Sequence, residues 1–231
     1  MISIVDLAIG HGADEVQSGI RAEIRQGEIF AIVGDSGSGK STLLRTMIGL
    51  MPARSGHTTF RDGSSFGVLF QNGALWSSMT VLENVMLPMD LQGQLPRATR
   101  QALARFKLEL VGLARDEHRY PASLSGGMRK RAALARALAL DPAVLFLDEP
   151  SAGLDPLASR RLDELILSLR DGLGITVVIV THELDSLFRI ADRMLFLDGE
   201  AHRPVALGAP CELARSAQSR KVRDFLSRVA A

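Results

Sequence analysis

A glycine-rich stretch early in the chain has the residue types that hold phosphate groups. It consists of Gly34, Asp35, Ser36, Gly37, Ser38, Gly39, Lys40 and Ser41, and is followed by Thr42. This spacing fits the pattern G-x-x-x-x-G-K-[ST], in which backbone N–H groups at a helix N-terminus surround phosphate oxygens. In such a phosphate loop, Lys40 reaches the β- and γ-phosphates and the Ser41 hydroxyl ligates Mg²⁺. The stretch therefore predicts a site for a nucleoside triphosphate and Mg²⁺.

Two carboxylates at the end of an apolar run have the chemistry to complete such a site. Asp148 and Glu149 directly follow the apolar residues 144–147. Beside a phosphate loop, we expect Asp148 to hold Mg²⁺ through water and Glu149 to polarise the water that attacks the γ-phosphate. The pair favours a hydrolase over a module that only binds nucleotide, because a nucleotide switch has no need of this base.

A third segment lies between the phosphate loop and the acidic pair. Ser125, Gly126 and Gly127 stand at the start of a predicted helix, where free N–H groups attract an anion. A phosphate loop followed by Leu124-Ser125-Gly126-Gly127-Met128 and then by an acidic strand resembles the arrangement of ABC (ATP-binding cassette) ATPases. The resemblance covers nearly the whole chain. It implies ATP and Mg²⁺ as cofactors.

The resemblance also implies a second copy of the chain. ABC ATPases dimerise head to tail, and the serine-glycine-glycine segment of each subunit caps the nucleotide held by the other. Residues 151–155 (SAGLD) resemble the D-loop that crosses this interface, which places Asp155 among the nucleotide-site residues. Two composite ATP sites per homodimer are therefore expected.

Three further residues receive a role from the resemblance alone. His182 follows an apolar run, where the family has a histidine that contacts the γ-phosphate. Gln71 stands where the family has a glutamine that senses Mg²⁺ and the attacking water. The family stacks an aromatic ring on adenine, but no Phe, Tyr or Trp precedes Phe30, so His11 is the nearest candidate.

The elements that must position these residues follow from hydrophobic periodicity. Two early segments, around Ile2 and Ile24, alternate with period two and read as antiparallel strands. Apolar strands then alternate with helices, which predicts a mainly parallel sheet covered on both faces. The strands are expected at residues 28–33, 66–70, 144–147, 175–180 and 194–197, and the helices at 40–50, 97–112, 125–140, 156–170 and 183–190. The fold class is α/β, and the spacing of Thr80 and Glu83 predicts a capping box at another helix start.

The resemblance implies one ABC ATPase domain over residues 1–231 with a P-loop NTPase fold. A RecA-like core with a short antiparallel β subdomain is expected at 1–96 and 141–210. Residues 97–140 form the helical subdomain, with Leu103, Phe106, Leu110 and Leu113 on one side of its first helix.

Residues 211–231 form a C-terminal helical extension. Val222, Phe225, Leu226 and Val229 lie on one face of a helix there. Packing of that face on its own domain is the first expectation, contact with the neighbouring ATPase subunit or a partner is the second, and a membrane-surface helix is the third.

Composition limits the classes of protein to consider. The chain has 231 residues and a formal net charge of +1, so bulk charge favours neither nucleic acid nor an anionic membrane surface. Its single cysteine, Cys211, excludes an internal disulfide and fits a reducing compartment. A signal peptide and a run of about 18 apolar residues are both lacking, so we expect a partner to bring the protein to any membrane.

Two segments resemble a subfamily, the Mla/Mce-type phospholipid-transport ATPases. They are the stretch from Leu69 to Trp76 with the following MTVLENV, and the run LSGGMRKRAALARAL beginning at Leu124. This resemblance implies a permease, a Mce/Mla-type substrate-binding protein and a place on the cytoplasmic face of a bacterial inner membrane. Leu75, Trp76 and Met79 would line the groove for the permease, although ordinary packing explains each of them equally well.

Other ABC ATPases stay open as alternatives. An amino acid importer or a drug exporter would share every ATP-site residue and differ at the permease groove. Among soluble types, DNA-repair ATPases contain a long inserted coiled coil and translation ATPases two cassettes, and neither feature is present. Architecture leaves an iron–sulfur assembly ATPase open, but Trp76 and the Met-Arg-Lys-Arg run point away from it.

Overall fold

The computed structural model describes residues 1–12, 14–61 and 63–227, and within them the strands form two sheets. A three-stranded sheet has the order β2-β1-β4, and a six-stranded sheet has the order β5-β6-β7-β3-β8-β9. The strands are β1 (Ile2–His11), β2 (Asp14–Ile24), β3 (Ile29–Gly34), β4 (Ser55–Phe60), β5 (Phe66–Leu69), β6 (Val144–Asp148), β7 (Thr176–Val180), β8 (Arg193–Asp198) and β9 (Arg203–Gly208).

Helices connect most of these strands and cover the larger sheet. They are α1 (Lys40–Met47), α2 (Val81–Gln92), α3 (Arg97–Leu110), α4 (Gly126–Ala137), α5 (Pro156–Leu173), α6 (Leu184–Ile190), α7 (Pro210–Ser216) and α8 (Arg220–Leu226), and one 3₁₀ turn spans Pro121–Ser123. Within the described ranges no helix combines the length and apolar character needed to cross a membrane.

The larger sheet is parallel except at one edge. Strands β5, β6, β7, β3 and β8 run in the same direction, and β9 pairs antiparallel with β8. Side chains alternate between its faces, so Ala31 and Val33 enter one hydrophobic core while Phe30 and Ile32 enter the other. The predicted parallel sheet with two covered faces is confirmed.

One face of this sheet packs against α1 and the smaller sheet. Leu43 and Leu44 of α1 share a core with the buried side chains of β1 and β2. Ile2 pairs with Ile24, and Ile4 pairs with Ala22, in an antiparallel register. The two period-two segments therefore form the antiparallel pair that the sequence predicts.

Helices α2 to α6 and α8 cover the other face of the sheet. The capping box of α2 is formed, because Thr80 Oγ1 accepts from the Glu83 N–H at 3.3 Å and the Thr80 N–H donates to Glu83 Oε2 at 2.7 Å. Helix α2 packs against both α3 and α4, although it precedes residue 97. The boundary of the helical subdomain stays a prediction.

The buried face of α3 differs from the expected one. Ala104 and Leu108 are buried, whereas Phe106 is 49% exposed and Leu113 lies beyond the end of the helix. The helix is thus rotated relative to the expected face, with Ala104 and Leu108 in the core and Phe106 outside it. Hydrophobic periodicity does not predict this face of α3, because it considers only the size and polarity of the side chains.

The C-terminal extension packs on its own domain, as first expected. Val222, Phe225 and Leu226 of α8 are buried in the same core as the helices of that face. The ring of Phe225 packs edge-on against Phe196 of β8 at a centroid distance of 5.2 Å. Val229, the last member of the predicted stripe, lies outside the described residues.

Candidate active site

The predicted nucleotide-site residues meet at one edge of the larger sheet. Strands β5, β6, β7 and β3 are parallel neighbours, so the residues that follow their carboxyl ends lie side by side. Open α/β sheets bind ligands at such an edge. A cavity of about 730 Å³ opens there, and its lining includes His11, Gly34, Asp35, Ser36, Gly37, Gly39, Lys40, Ser41, Thr42, Gln71, Glu149 and His182.

The phosphate loop joins β3 to α1 and needs glycine for close packing. A Cβ on Gly34 would lie 2.3 Å from the carbonyl oxygen of Leu197, and one on Gly39 would lie 2.7 Å from Val16 Cγ1. Gly39 also has a φ of +93°, which L side chains rarely adopt. Ser38 is fully buried and is absent from the cavity lining. The contact of Ser38 with a phosphate stays a prediction.

Lys40 is held over its own loop. Its Nζ donates to the carbonyl oxygens of Gly34 at 2.9 Å and Asp35 at 2.7 Å. An ammonium has three donors, so one N–H is left for a phosphate oxygen. Burial lowers the pKa of Lys40, while the nearby carboxylates, Glu149 first, oppose that shift.

The two expected Mg²⁺ residues are adjacent. Ser41 Oγ donates to Asp148 Oδ1 at 2.8 Å, which places a hydroxyl and a carboxylate oxygen together. These are the hard oxygen ligands that Mg²⁺ takes, usually with waters and substrate phosphates. Over the described ranges no group of three or more His, Cys, Asp and Glu residues could hold a metal by itself. The role of Ser41 and Asp148 in holding Mg²⁺ stays a prediction.

The side chains expected beside the attacking water, Glu149 and Gln71, also meet, together with His182, which is expected at the γ-phosphate. Glu149 Oε2 accepts from Gln71 Nε2 at 3.0 Å, and Glu149 Oε1 lies 3.2 Å from His182 Nδ1. Gln71 uses its side-chain nitrogen in this contact, so its side-chain Oε1 stays available to a cation. The arrangement orients one carboxylate between an amide and an imidazole. These roles stay predictions.

His11 lies on the wall of the same cavity. It ends β1, and its Nε2 is 3.1 Å from Thr42 Oγ1. Val16 of β2 lines the cavity as well, and it was not among the residues predicted from the sequence. The structure thus brings His11 to the nucleotide cavity, and its stacking on adenine stays a prediction.

The serine-glycine-glycine segment lines a different cavity, of about 560 Å³. Ser125 caps α4 by accepting from the Met128 N–H at 3.2 Å, and Asp155 caps α5 by accepting from the Ala158 N–H at 2.9 Å. A Cβ on Gly126 or Gly127 would make only ordinary contacts, at 3.5 and 3.7 Å. Packing within the chain therefore does not require glycine here. Close approach of a group from another molecule would require it.

Two lysines near the nucleotide cavity were not among the site residues predicted from the sequence. Lys221 of α8 contacts Asp35 of the phosphate loop at 2.9 Å and Asp198 at 2.8 Å, and these carboxylates raise its pKa. Lys130 of α4 reaches backbone carbonyls beside the cavity. Phe225 lines the cavity as well. The basic residues were visible in the sequence, but their partners are remote in the chain and only the fold brings them together.

Comparison with known proteins gives a consistent family. Residues 18–152 match the family described as ABC transporter. The methionine import ATP-binding protein MetN of Mesorhizobium japonicum is 39% identical over 86% of this chain and 58% of its own length. A probable ribonucleotide transport ATP-binding protein, mkl of Mycobacterium leprae, is 34% identical over 98% of this chain and 68% of its own length. The chain thus spans about three fifths to two thirds of these relatives.

Solved structures agree with these sequence matches. The dimeric bacterial ABC transporter cassette MJ0796 superposes with a TM-score of 0.80 at 28% identity, and the match covers 90% of this chain and 98% of that one. The same cassette in a post-hydrolysis state bound to ADP and Pi gives a TM-score of 0.79. The fold is therefore that of an ATP-binding cassette.

Proposed function

This chain belongs to the ABC transporter family as an ATPase domain, and we propose that it energises a membrane transporter by hydrolysing ATP. One observation supports the proposal most strongly. The ends of four neighbouring parallel strands bring Lys40, Glu149 and His182 to a single cavity, together with Gln71. The direct test is Mg²⁺-dependent release of phosphate from ATP by the purified protein, with EDTA as the control.

Each part of the cavity has one task in this mechanism. The N–H groups of the phosphate loop and the ammonium of Lys40 bind and orient the phosphates. Ser41 and Asp148 would hold Mg²⁺, which would neutralise charge on the phosphate oxygens. Glu149 accepts a proton from the attacking water, and Gln71 and His182 hold its carboxylate in place.

The active form is proposed to be a head-to-tail homodimer. Ser125 and Asp155 line a surface separate from the nucleotide cavity of their own chain. A helix N-terminus on that surface would complete the site of a second copy by facing its bound phosphates. The dimeric form of the structural neighbour MJ0796 supports the proposal of a dimer.

For the cargo we propose phospholipid or another hydrophobic molecule of the bacterial envelope, moved through a permease with a Mce/Mla-type binding protein. The support is the Mla/Mce-like sequence of the segments at Leu69 and Leu124. The name of one relative, the methionine import protein MetN, suggests a second candidate, methionine import. Transport of labelled phospholipid and of labelled methionine by the complex with the genomically adjacent permease decides between them. The ATPase would then lie on the cytoplasmic face of the inner membrane.

The docking site for the permease is proposed in the loop that follows Gln71. The side chain of Trp76 is 58% exposed, so packing in the core of its own domain does not explain it. Asn84 fixes the loop, because its Oδ1 accepts from the Trp76 N–H at 2.8 Å and its amide donates to the Trp76 carbonyl at 3.0 Å. Met79 lines an adjoining cleft between α2 and α3. A cytoplasmic helix of a permease would cover this aromatic side chain.

Trp76→Ala is expected to weaken binding to the permease roughly 30-fold or more, because truncation of a buried aromatic anchor costs about 2 kcal/mol or more. ATP binding should be retained, since Trp76 does not line the nucleotide cavity. Co-purification with the permease and ATP affinity measure the two effects. Phe106→Ala, which truncates another exposed aromatic residue, is the matched control. Equal recovery of permease by Trp76→Ala and wild type would remove Trp76 from the interface.

A further inference from the structure

We propose that Lys130 is a positioning residue for ATP hydrolysis, whose ammonium holds the backbone of Gln71 and Glu149 in the arrangement that aligns their side chains. This inference rests on the proposed ATPase function and adds a residue to it. Lys130 belongs to the Met-Arg-Lys-Arg run at the start of α4.

The contacts of Lys130 connect two separate loops. The residue is only 7% exposed, and its Nζ donates to the carbonyl oxygen of Gln71 and, at 3.3 Å, to that of Glu149. The side chains of the same two residues are hydrogen-bonded to each other at 3.0 Å beside the cavity. One cation thus ties together the backbones of a pair whose side chains act together.

The backbone of Glu149 has particular need of such a contact. Its φ is +47°, in the left-handed region that a non-glycine residue adopts only when its surroundings hold it there. The Glu149 N–H is held by the carbonyl oxygen of Val180 at 2.9 Å. On the other side of the residue, the Glu149 carbonyl accepts from the Ala152 N–H at 3.2 Å and from Lys130 Nζ at 3.3 Å. Loss of Lys130 would release the one side-chain contact among these three restraints.

Other basic residues of α4 make the same kind of contact elsewhere. Arg131 donates to the carbonyls of Val111 and Gly112, which lie at the end of α3. Hydrogen bonds from a charged donor are stronger than neutral ones, which suits a contact that must hold a loop. Lys130 differs from Arg131 because its acceptors belong to the two residues beside the attacking water. Arg131 is therefore the matched control.

The position of Lys130 on α4 gives the contact a second consequence. The same helix begins at Ser125, which is proposed to face the nucleotide of the partner subunit. Lys130 lies little more than one turn further along that helix. A movement of α4 during closure of the proposed dimer would therefore be transmitted to Gln71 and Glu149 by the hydrogen bonds of Lys130.

The test compares Lys130→Met, Lys130→Gln and Arg131→Met in the full chain. Lys130→Met keeps an unbranched side chain but removes every hydrogen-bond donor. We expect kcat to fall about 10–100-fold, the range for loss of a residue that orients site residues by hydrogen bonds. KM for Mg·ATP should stay close to wild type. Lys130→Gln restores amide donors and should recover most of the lost kcat. Arg131→Met, at a residue that lines the cavity of the serine-glycine-glycine segment, should lower kcat less than Lys130→Met does.

Hydrogen exchange gives a readout that is independent of activity. Lys130→Met should increase amide exchange at residues 70–73 and 149–152, whereas Arg131→Met should increase it at residues 111–113. Wild-type kcat in Lys130→Met, or unchanged exchange in both of its segments, would overturn the proposal. So would an equal loss of kcat in Arg131→Met, because that result indicates general destabilisation of α4. A wild-type protein without ATPase activity would refute the proposed function, and the exchange pattern would still test the contact.

Discussion

Glu149→Gln is expected to slow ATP turnover by about 10²–10⁴-fold while leaving nucleotide affinity near that of wild type. The substitution removes the proton acceptor but keeps the shape of the side chain. The φ of +47° at this residue is as demanding for glutamine as for glutamate, so the backbone changes little. Lys40, Ser41 and Asp148 are untouched, and with them the contacts proposed for phosphate and Mg²⁺.

Two measurements check the Glu149→Gln prediction. Phosphate release under single-turnover conditions reports the chemical step, and size-exclusion chromatography with ATP reports association. Because ATP persists, the proposed dimer should persist on the column as well. Glu164→Gln makes the same chemical change on the exposed side of α5 and should behave as wild type. An ATP-loaded Glu149→Gln protein that stays monomeric would contradict the proposed nucleotide-bound dimer.

Ser125→Arg is expected to abolish hydrolysis, with a loss of at least about 10²-fold, although ATP binding by the monomer is nearly unchanged. Ser125 is exposed and remote from the nucleotide cavity of its own chain. A large side chain at this helix N-terminus would block the approach of the partner's phosphates. ATP affinity by equilibrium titration and phosphate release by steady-state assay separate the two effects. Normal hydrolysis by the variant would refute the composite site.

Mixing variants gives a sharper form of the Ser125 test. A dimer of one Ser125→Arg subunit and one Lys40→Ala subunit places both defects in one composite site and leaves the other site intact. Hydrolysis should therefore reappear on mixing, although each variant alone is inactive. Sites that lie within one chain would give no such recovery. Recovery would also exclude general unfolding of the Ser125→Arg subunit, which would persist in the mixture.

The fold was predictable because its strongest signals are local. The buried strands read as continuous apolar runs, and the capping box at Thr80 needs only four residues in sequence. The rotation of α3 was missed, since Ala104 is buried for its small size and Phe106 is left exposed. The choice between two neighbouring faces of a helix depends on the shape of the partner helices, and no window of the sequence contains that information.

The residues of the site divide in the same way. Glu149 and Gln71 follow strand ends and Lys40 begins the helix after β3, and the order of the parallel strands places these segments together. Lys130 and Lys221 support the same cavity through contacts with remote segments. A single basic residue produces no periodic pattern in the sequence. Its partners can therefore be identified only from the folded structure. The sequence therefore indicates the groups that face the ligand better than the groups that hold them.

The left-handed backbone conformation of Glu149 lowers the stability of the domain, whereas the proposed hydrolysis requires the glutamate side chain. A side chain other than glycine or asparagine is disfavoured at a φ of +47°, so this position raises the energy of the folded state. Asparagine tolerates the conformation better, but its shorter amide supplies no base. Thermostability selections would therefore tend to reward the loss of this glutamate. The working domain is expected to melt at a lower temperature than an inactive counterpart with asparagine at residue 149.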